Sequence, residues 1–219
     1  MQNDQARQAR FIAPPGAADL LLIRHGESMP AIRGQSFALK DGHGDPPLHP
    51  QGEAQARALS DRLAGAPLAA IYVTTLQRTH QTAAPLAAAL GLRPQVEPDL
   101  REVHLGDWDG GLYRFHAAEG HPAFLRAREM QEWGEIPGAE TTAALHARVR
   151  AGLMRIAARH GDQQVAVFVH GGVIGAAMAV ATGAAPFAFN GAANGSISQI
   201  VVRGAQFIAR RFNDCAHLE

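Results

Sequence analysis

Leu20-Leu21-Leu22-Ile23-Arg24-His25-Gly26-Glu27-Ser28 decides the fold: four consecutive apolar residues read as a buried strand, and they stop abruptly at Arg-His-Gly. In open α/β sheets the groups that do chemistry lie just past the carboxyl ends of strands, so a cation and an imidazole there form a candidate anion site. A second apolar run, Val165-Ala166-Val167-Phe168-Val169, ends the same way in His170-Gly171-Gly172. Two strands each deliver a histidine to one sheet edge.

Working outward, short apolar runs alternate with longer stretches of helical periodicity, the pattern of a mostly parallel sheet covered by helices. Strands are expected at 19–24, 70–74, 94–97, 165–170, 197–202 and 206–212. The last two flank Gly204-Ala205, which predicts a hairpin and an antiparallel edge strand. Gly52 to Ala64 sets Ala56, Leu59 and Leu63 on one face, and Gly65 and Pro67 stop it. A second helix, Leu76 to Leu90, is expected to be capped by Thr74 or Thr75 and to end at Gly91; a third runs from Thr141 to His160. The expected fold is therefore a three-layer α/β/α domain with a mostly parallel sheet, an antiparallel C-terminal edge strand and a small covering insertion. Residues 1–18 read as a flexible N-terminal tail and 19–219 as a single domain.

Composition narrows the function. Among 219 residues, twenty Lys and Arg balance twenty Asp and Glu, so net charge points to neither nucleic acid nor an anionic membrane. The single cysteine, Cys215, excludes an intramolecular disulfide and a cysteine metal site. No secretory signal is legible in the first eighteen residues, and no apolar stretch reaches the roughly eighteen residues of a membrane span, so a cytoplasmic location is expected. His43, His49, His104, His116, His121, His146 and His160 lack metal-ligand spacing. No Gly-x-Gly-x-x-Gly follows the first strand, which argues against a dinucleotide site. Trp108 and Trp133 have no basic patch beside them and read as packing or pocket walls.

A phosphoryl group needs fixed donors around its oxygens and one nucleophile in line. Arg24, His25, Arg78 and His170 supply that inventory, with Arg78 about one turn into a helix that follows a strand. A neutral His25 is the candidate nucleophile. The leaving group needs a proton donor; Glu102, in Leu100-Arg101-Glu102-Val103-His104-Leu105-Gly106-Asp107-Trp108-Asp109-Gly110, is preferred over Asp107 and Asp109.

These blocks, with Leu48-His49-Pro50-Gln51-Gly52-Glu53, Gln81-Thr82-Ala83, Pro137-Gly138-Ala139-Glu140 and Asn194-Gly195-Ser196, resemble the histidine phosphatase superfamily, also called the phosphoglycerate mutase-like family, and occur in family order. The resemblance implies transient phosphorylation of His25, a phosphoryl group held by Arg24, Arg78 and His170, proton donation by Glu102, and no metal or other cofactor. Mutases of this family usually continue Arg-His-Gly-Glu-Ser with Trp-Asn. Here Met29-Pro30-Ala31 follows, which removes a phosphate-contacting Asn at Ala31, and Arg126 and Arg128 are separated where mutases tend to carry adjacent arginines. Thr74 stands where Ser is common.

The expected function is a metal-independent phosphomonoesterase acting on a small phosphorylated metabolite; mutase-type transfer and a non-catalytic phospho-ligand binder are the alternatives. The expected partner is a small phosphomonoester, with no nucleic acid or membrane, and a homodimer is left open. The loop 29–47 and the segment 112–135 are expected to line the pocket mouth, where Arg33, Lys40, Arg114 and Arg126 are candidates for a second anionic group.

Overall fold

The structure, a computed structural model, describes residues 8–219. In chain order its elements are β1 (Ala18–Arg24), β2 (Leu39–Lys40), β3 (His43–Gly44), α1 (Pro50–Leu63), β4 (Leu68–Val73), α2 (Gln77–Leu90), β5 (Gln95–Val96), α3 (Leu112–Glu119), α4 (Pro122–Met130), α5 (Thr142–Arg159), β6 (Gln164–Val169), α6 (Gly171–Thr182), β7 (Ile197–Arg203) and β8 (Gln206–Asp214). Six strands form one sheet in the order β5-β4-β6-β1-β7-β8; β5, β4, β6 and β1 run parallel, and β7 and β8 return antiparallel.

Both faces of β1 are buried, which is why it reads as unbroken Leu and Ile. Leu21 and Ile23 pack with Leu59 and Leu63 of α1 and Leu86 of α2, whereas Leu20 and Leu22 pack with Val149, Leu153 and Ile156 of α5 and Ile174 of α6. This is the three-layer arrangement, with the helices of each face built by alternate residues of the same strands.

Register places the chemistry. Ile23 pairs with Phe168 and Arg24 with Val169, so His25 and His170 are the next residues out of two neighbouring parallel strands. Strand β4 flanks β6 on its other side and ends at Val73, so Thr74 leaves the sheet beside His170.

Several expectations shift in detail. Helix α2 is not capped by Thr74 or Thr75: its cap residue is Leu76, without a side-chain cap bond, and the Gln77 N–H donates to Asp45 Oδ1 at 2.8 Å. The Thr74 hydroxyl is taken up by His170 and the Leu76 N–H instead. Helix α5 begins one residue later than expected because Thr141 caps it, accepting from the Ala144 N–H at 3.1 Å. Helix α6 lacks a polar stripe, its residues Val173 to Ala179 all being buried, so periodicity gives no sign of it. Part of the expected tail, residues 1–7, lies outside the described residues. Of the remainder, Ala17 is buried and the Gly16 N–H donates to Asp162 at 2.7 Å. Among the described residues no helix is long and apolar enough to cross a membrane.

Candidate active site

A cavity of about 550 Å³ opens at the carboxyl ends of β1 and β6, and Arg24, His25, Arg78 and Glu102 stand in its wall. His25 enters on a turn that only glycine permits. A side chain at Gly26 would overlap the Gly52 carbonyl, and one at Gly52 would overlap Glu27, so the turn and the start of α1 pack backbone against backbone. Nδ1 of His25 lies 2.7 Å from the Gly26 carbonyl, which can only accept, so Nδ1 carries the proton. Nε2 is left with its lone pair, and the Arg78 Nε–H donates to it at 3.2 Å. Burial, then the charges of Arg78 and Arg24, hold the imidazole well below its ordinary pKa, so it is neutral at neutral pH.

Two arginines share the cavity wall with His25. Arg24 donates through Nη1 to the Ala192 carbonyl, while its buried Nε has no partner. Arg78 is buried, donates to the Gly44 carbonyl at 2.9 Å and lies 3.7 Å from Asp45; burial lowers its pKa to about 10, so it stays charged.

His170 is placed differently from the other expected residues. It is 0% exposed and not in the cavity wall, packing edge-on behind His25 with ring centroids 5.2 Å apart. Its Nε2 is 3.0 Å from the Thr74 hydroxyl, and its Nδ1 is buried without a partner. Burial, then Arg78, keeps it neutral.

The three candidate acids separate cleanly. Glu102 is in the wall, and its Oε1 accepts from the N–H groups of Val103 at 3.0 Å and Gly172 at 3.1 Å, the latter at the start of α6. Asp109 also lines the cavity but is committed to the backbone, accepting from Gly44 at 3.1 Å and Leu105 at 2.8 Å. Asp107 is exposed and outside the wall.

Of the four cations considered for a second anionic group, Arg114 alone reaches the wall. It is solvent-exposed, donates to Met29 O at 2.7 Å and Ser28 Oγ at 2.9 Å, and has no carboxylate partner among the described residues. Arg33 pairs with Glu119 and Arg126 with Glu135 on the surface, and Lys40 is exposed. Arg128, which is not among those four, does line the cavity, as do Tyr113, Trp133 and Asn190. Asn194 lines it too and donates to the His25 carbonyl at 3.0 Å. Only the three-dimensional closure of α3 and α4 over the sheet edge separates these cations. Among the described residues no cluster of three or more His, Cys, Asp or Glu could hold a metal ion.

A neutral buried imidazole with an unprotonated Nε2, sharing one cavity wall with two arginines and a carboxyl, is the arrangement of a phosphoryl-transfer site at a sheet edge. The chain belongs to the histidine phosphatase superfamily (branch 1), whose model matches residues 20–215, and it is a phosphoric monoester hydrolase that acts through phosphohistidine. It is 31% identical over 204 residues to a metal-independent phosphoserine phosphatase of Arabidopsis thaliana, covering 91% of this chain and 83% of the relative. It is 32% identical over 161 residues to phosphoglycerate mutase-like protein 4 of the same plant, 72% and 68% of the two chains. Its fold matches mycobacterial glucosyl-3-phosphoglycerate phosphatase with a TM-score of 0.75 at 26% identity, covering 90% of this chain and 99% of the other.

Proposed function

We propose that His25 is the nucleophile, Glu102 the proton donor, and Arg24, Arg78 and His170 the phosphoryl-holding groups of a hydrolase whose substrate bears a second anionic group. The observation that carries this reading is His25 Nε2, held unprotonated by the Nδ1–H bond to Gly26 and met by the Arg78 Nε–H, with Arg24 in the same cavity wall. In the first step Nε2 attacks phosphorus, the ester P–O bond breaks, and Glu102 gives its proton to the departing oxygen. In the second, water attacks the phosphohistidine, its proton returns to Glu102, and the N–P bond breaks to release inorganic phosphate. The unpartnered Arg24 Nε is the group whose hydrogen bonding a phosphoryl oxygen completes, while His170 acts from behind His25.

Arg114 and Arg128 support the second anionic group. Both line the cavity without an acid partner among the described residues, and burial beside Arg24 lowers the pKa of Arg114. Relatives are named for phosphoserine and for glucosyl-3-phosphoglycerate, both of which carry a carboxylate near the phosphate ester.

Brief mixing with a radiolabelled phosphomonoester, followed by a denaturing quench in alkaline detergent, tests the nucleophile: a label stable in alkali and lost on later acid treatment is expected on the wild type, and neither label nor turnover in His25→Ala. Turnover at the wild-type rate in that variant would overturn the assignment. Phosphatase and mutase separate on 3-phosphoglycerate with a trace of bisphosphate primer, where free phosphate rather than the 2-isomer is expected.

A further inference from the structure

Residues 102–105 bring Glu102 to the cavity without belonging to a helix or strand, so their backbone groups need partners from elsewhere. Arg148, on α5, supplies them. Its Nη1 donates to the carbonyls of Asp99 at 2.8 Å and Arg101 at 2.7 Å, and its Nη2 to that of Glu102 at 2.9 Å. Nε donates to Glu140 Oε2 at 2.9 Å and Nη2 also to Glu140 Oε1. A guanidinium has five N–H groups in one plane, and all of them are used here. Glu140 then reaches the same loop from its other side: Oε1 accepts from the His104 N–H at 2.8 Å, and the Glu140 N–H donates to the His104 carbonyl at 3.0 Å.

The pair thus pins the chain at 99, 101, 102 and 104, bracketing the acid. Neither residue lines the cavity, and their side chains are only 21% and 15% exposed. The contrast with Arg155, two turns further along α5, is direct. It pairs with Glu97 and Asp99 at the entrance to the same segment, and among the described residues these are its side chain's hydrogen-bond partners.

We propose that Arg148, oriented by Glu140, is a positioning residue that sets the Glu102 carboxyl against the departing oxygen; this rests on the reading of Glu102 as proton donor. Glu102 holds its own orientation through only two backbone N–H groups, so its backbone must be fixed from behind. A displacement of about 1 Å in a proton donor costs rate on substrates that need the proton, and spares phosphate binding. Lysine carries charge but not a planar fork, and cannot gather three carbonyls and a carboxylate.

The test measures kcat/KM, which reads phosphohistidine formation, on 3-phosphoglycerate and on p-nitrophenyl phosphate, whose leaving group needs little protonation. Glu102→Gln and Arg148→Met should each lose about tenfold or more beyond their loss on the aryl ester when assayed on 3-phosphoglycerate. Arg148→Lys should resemble Arg148→Met, and it decides the matter if the methionine variant does not fold. Arg155→Met should leave the ratio between the two substrates unchanged. The double variant Arg148→Met with Glu102→Gln should be no worse on 3-phosphoglycerate than Glu102→Gln, because one acts through the other. Equal losses on both substrates for Glu102→Gln would overturn the proton-donor reading itself. A discriminating Glu102→Gln together with equal losses for the Arg148 variants, or full additivity in the double variant, would overturn the role of Arg148 alone.

Discussion

The site is assembled from two unlike halves. Arg24, His25, Thr74, Arg78 and His170 come from strand ends and one helix start, all within two residues of a sheet strand except Arg78, and the sheet ladder fixes their spacing. Glu102, Arg114 and Arg128 come from the segment between β5 and α5, which has no place in the sheet and is held by side chains bonded to backbone. The strand-end half is rigid because two parallel ladders would have to slip for its histidines to part. The covering half depends on individual contacts, so it is where single substitutions can move a functional group without unfolding the core. Phosphate chemistry belongs to the first half, leaving-group chemistry and specificity to the second.

The sharpest way to break that division is at the seam, at Gly172 in the first turn of α6. A Cβ there would stand 2.7 Å from Glu102 Oε1 and would overlap Val103, so Gly172→Ala pushes the acid away while leaving β6 and His170 in place. Its kcat/KM on 3-phosphoglycerate should fall about 10²-fold, with the phosphohistidine still forming from an aryl phosphate. Loss of labelling together with turnover would mean that the two halves are not separable.

Arg114→Ala tests the covering half by itself. It removes a cation bonded to Ser28 and Met29 and set in the cavity wall, but touches neither His25 nor Glu102 directly. KM for a substrate with a carboxylate beside its ester should rise about tenfold, and KM for p-nitrophenyl phosphate should change less. An equal rise for both substrates would make Arg114 a third phosphate ligand and return it to the first half.

The two halves also differ in how far the sequence reveals them. The strand-end half is legible because apolar runs end in charged residues, and parallel register converts equal endings into neighbours; Arg24-His25 and Val169-His170 need nothing more. His170 shows the limit: its sequence position predicts the edge but not its place behind His25, which follows from β6 being the central strand between β1 and β4. In the covering half, the sequence offers Glu102, Asp107 and Asp109 together, and nothing local marks Asp109 as a backbone ligand. That depends on β3 meeting residues sixty-five positions away. Asp45 capping α2 in place of Thr74 or Thr75 is the same kind of event, a long-range partner displacing a local one. Arg128 and Arg126 look alike in sequence, and only the packing of α4 puts one in the wall and the other against Glu135.

The smallest expected effect is on stability against pH, where the halves should titrate apart. His25 and His170 are buried with pKa values well below the ordinary 6.5, in both cases chiefly through burial. The unfolded chain therefore binds protons below about pH 6.5 that the folded chain refuses, and stability falls as pH drops from that point, by at most about 1.4 kcal/mol per pH unit for each histidine. His43, His146 and His217 shift in the same direction. Glu140 behaves oppositely: burial would raise its pKa, but the bonds from Arg148 and the His104 N–H bring it below the ordinary 4.5. Its contribution is present above about pH 4.5 and is lost as pH falls through the folded value. Urea midpoints should thus decline from pH 7.5 to 5.5 on account of the histidines, and further below 4.5 on account of the clamp. His25→Gln should flatten the first decline, and Glu140→Gln only the second. A midpoint that does not move between pH 7.5 and 5.5 would contradict the neutral imidazoles on which the strand-end half depends, because a histidine already protonated in the folded chain would bind no further proton on unfolding.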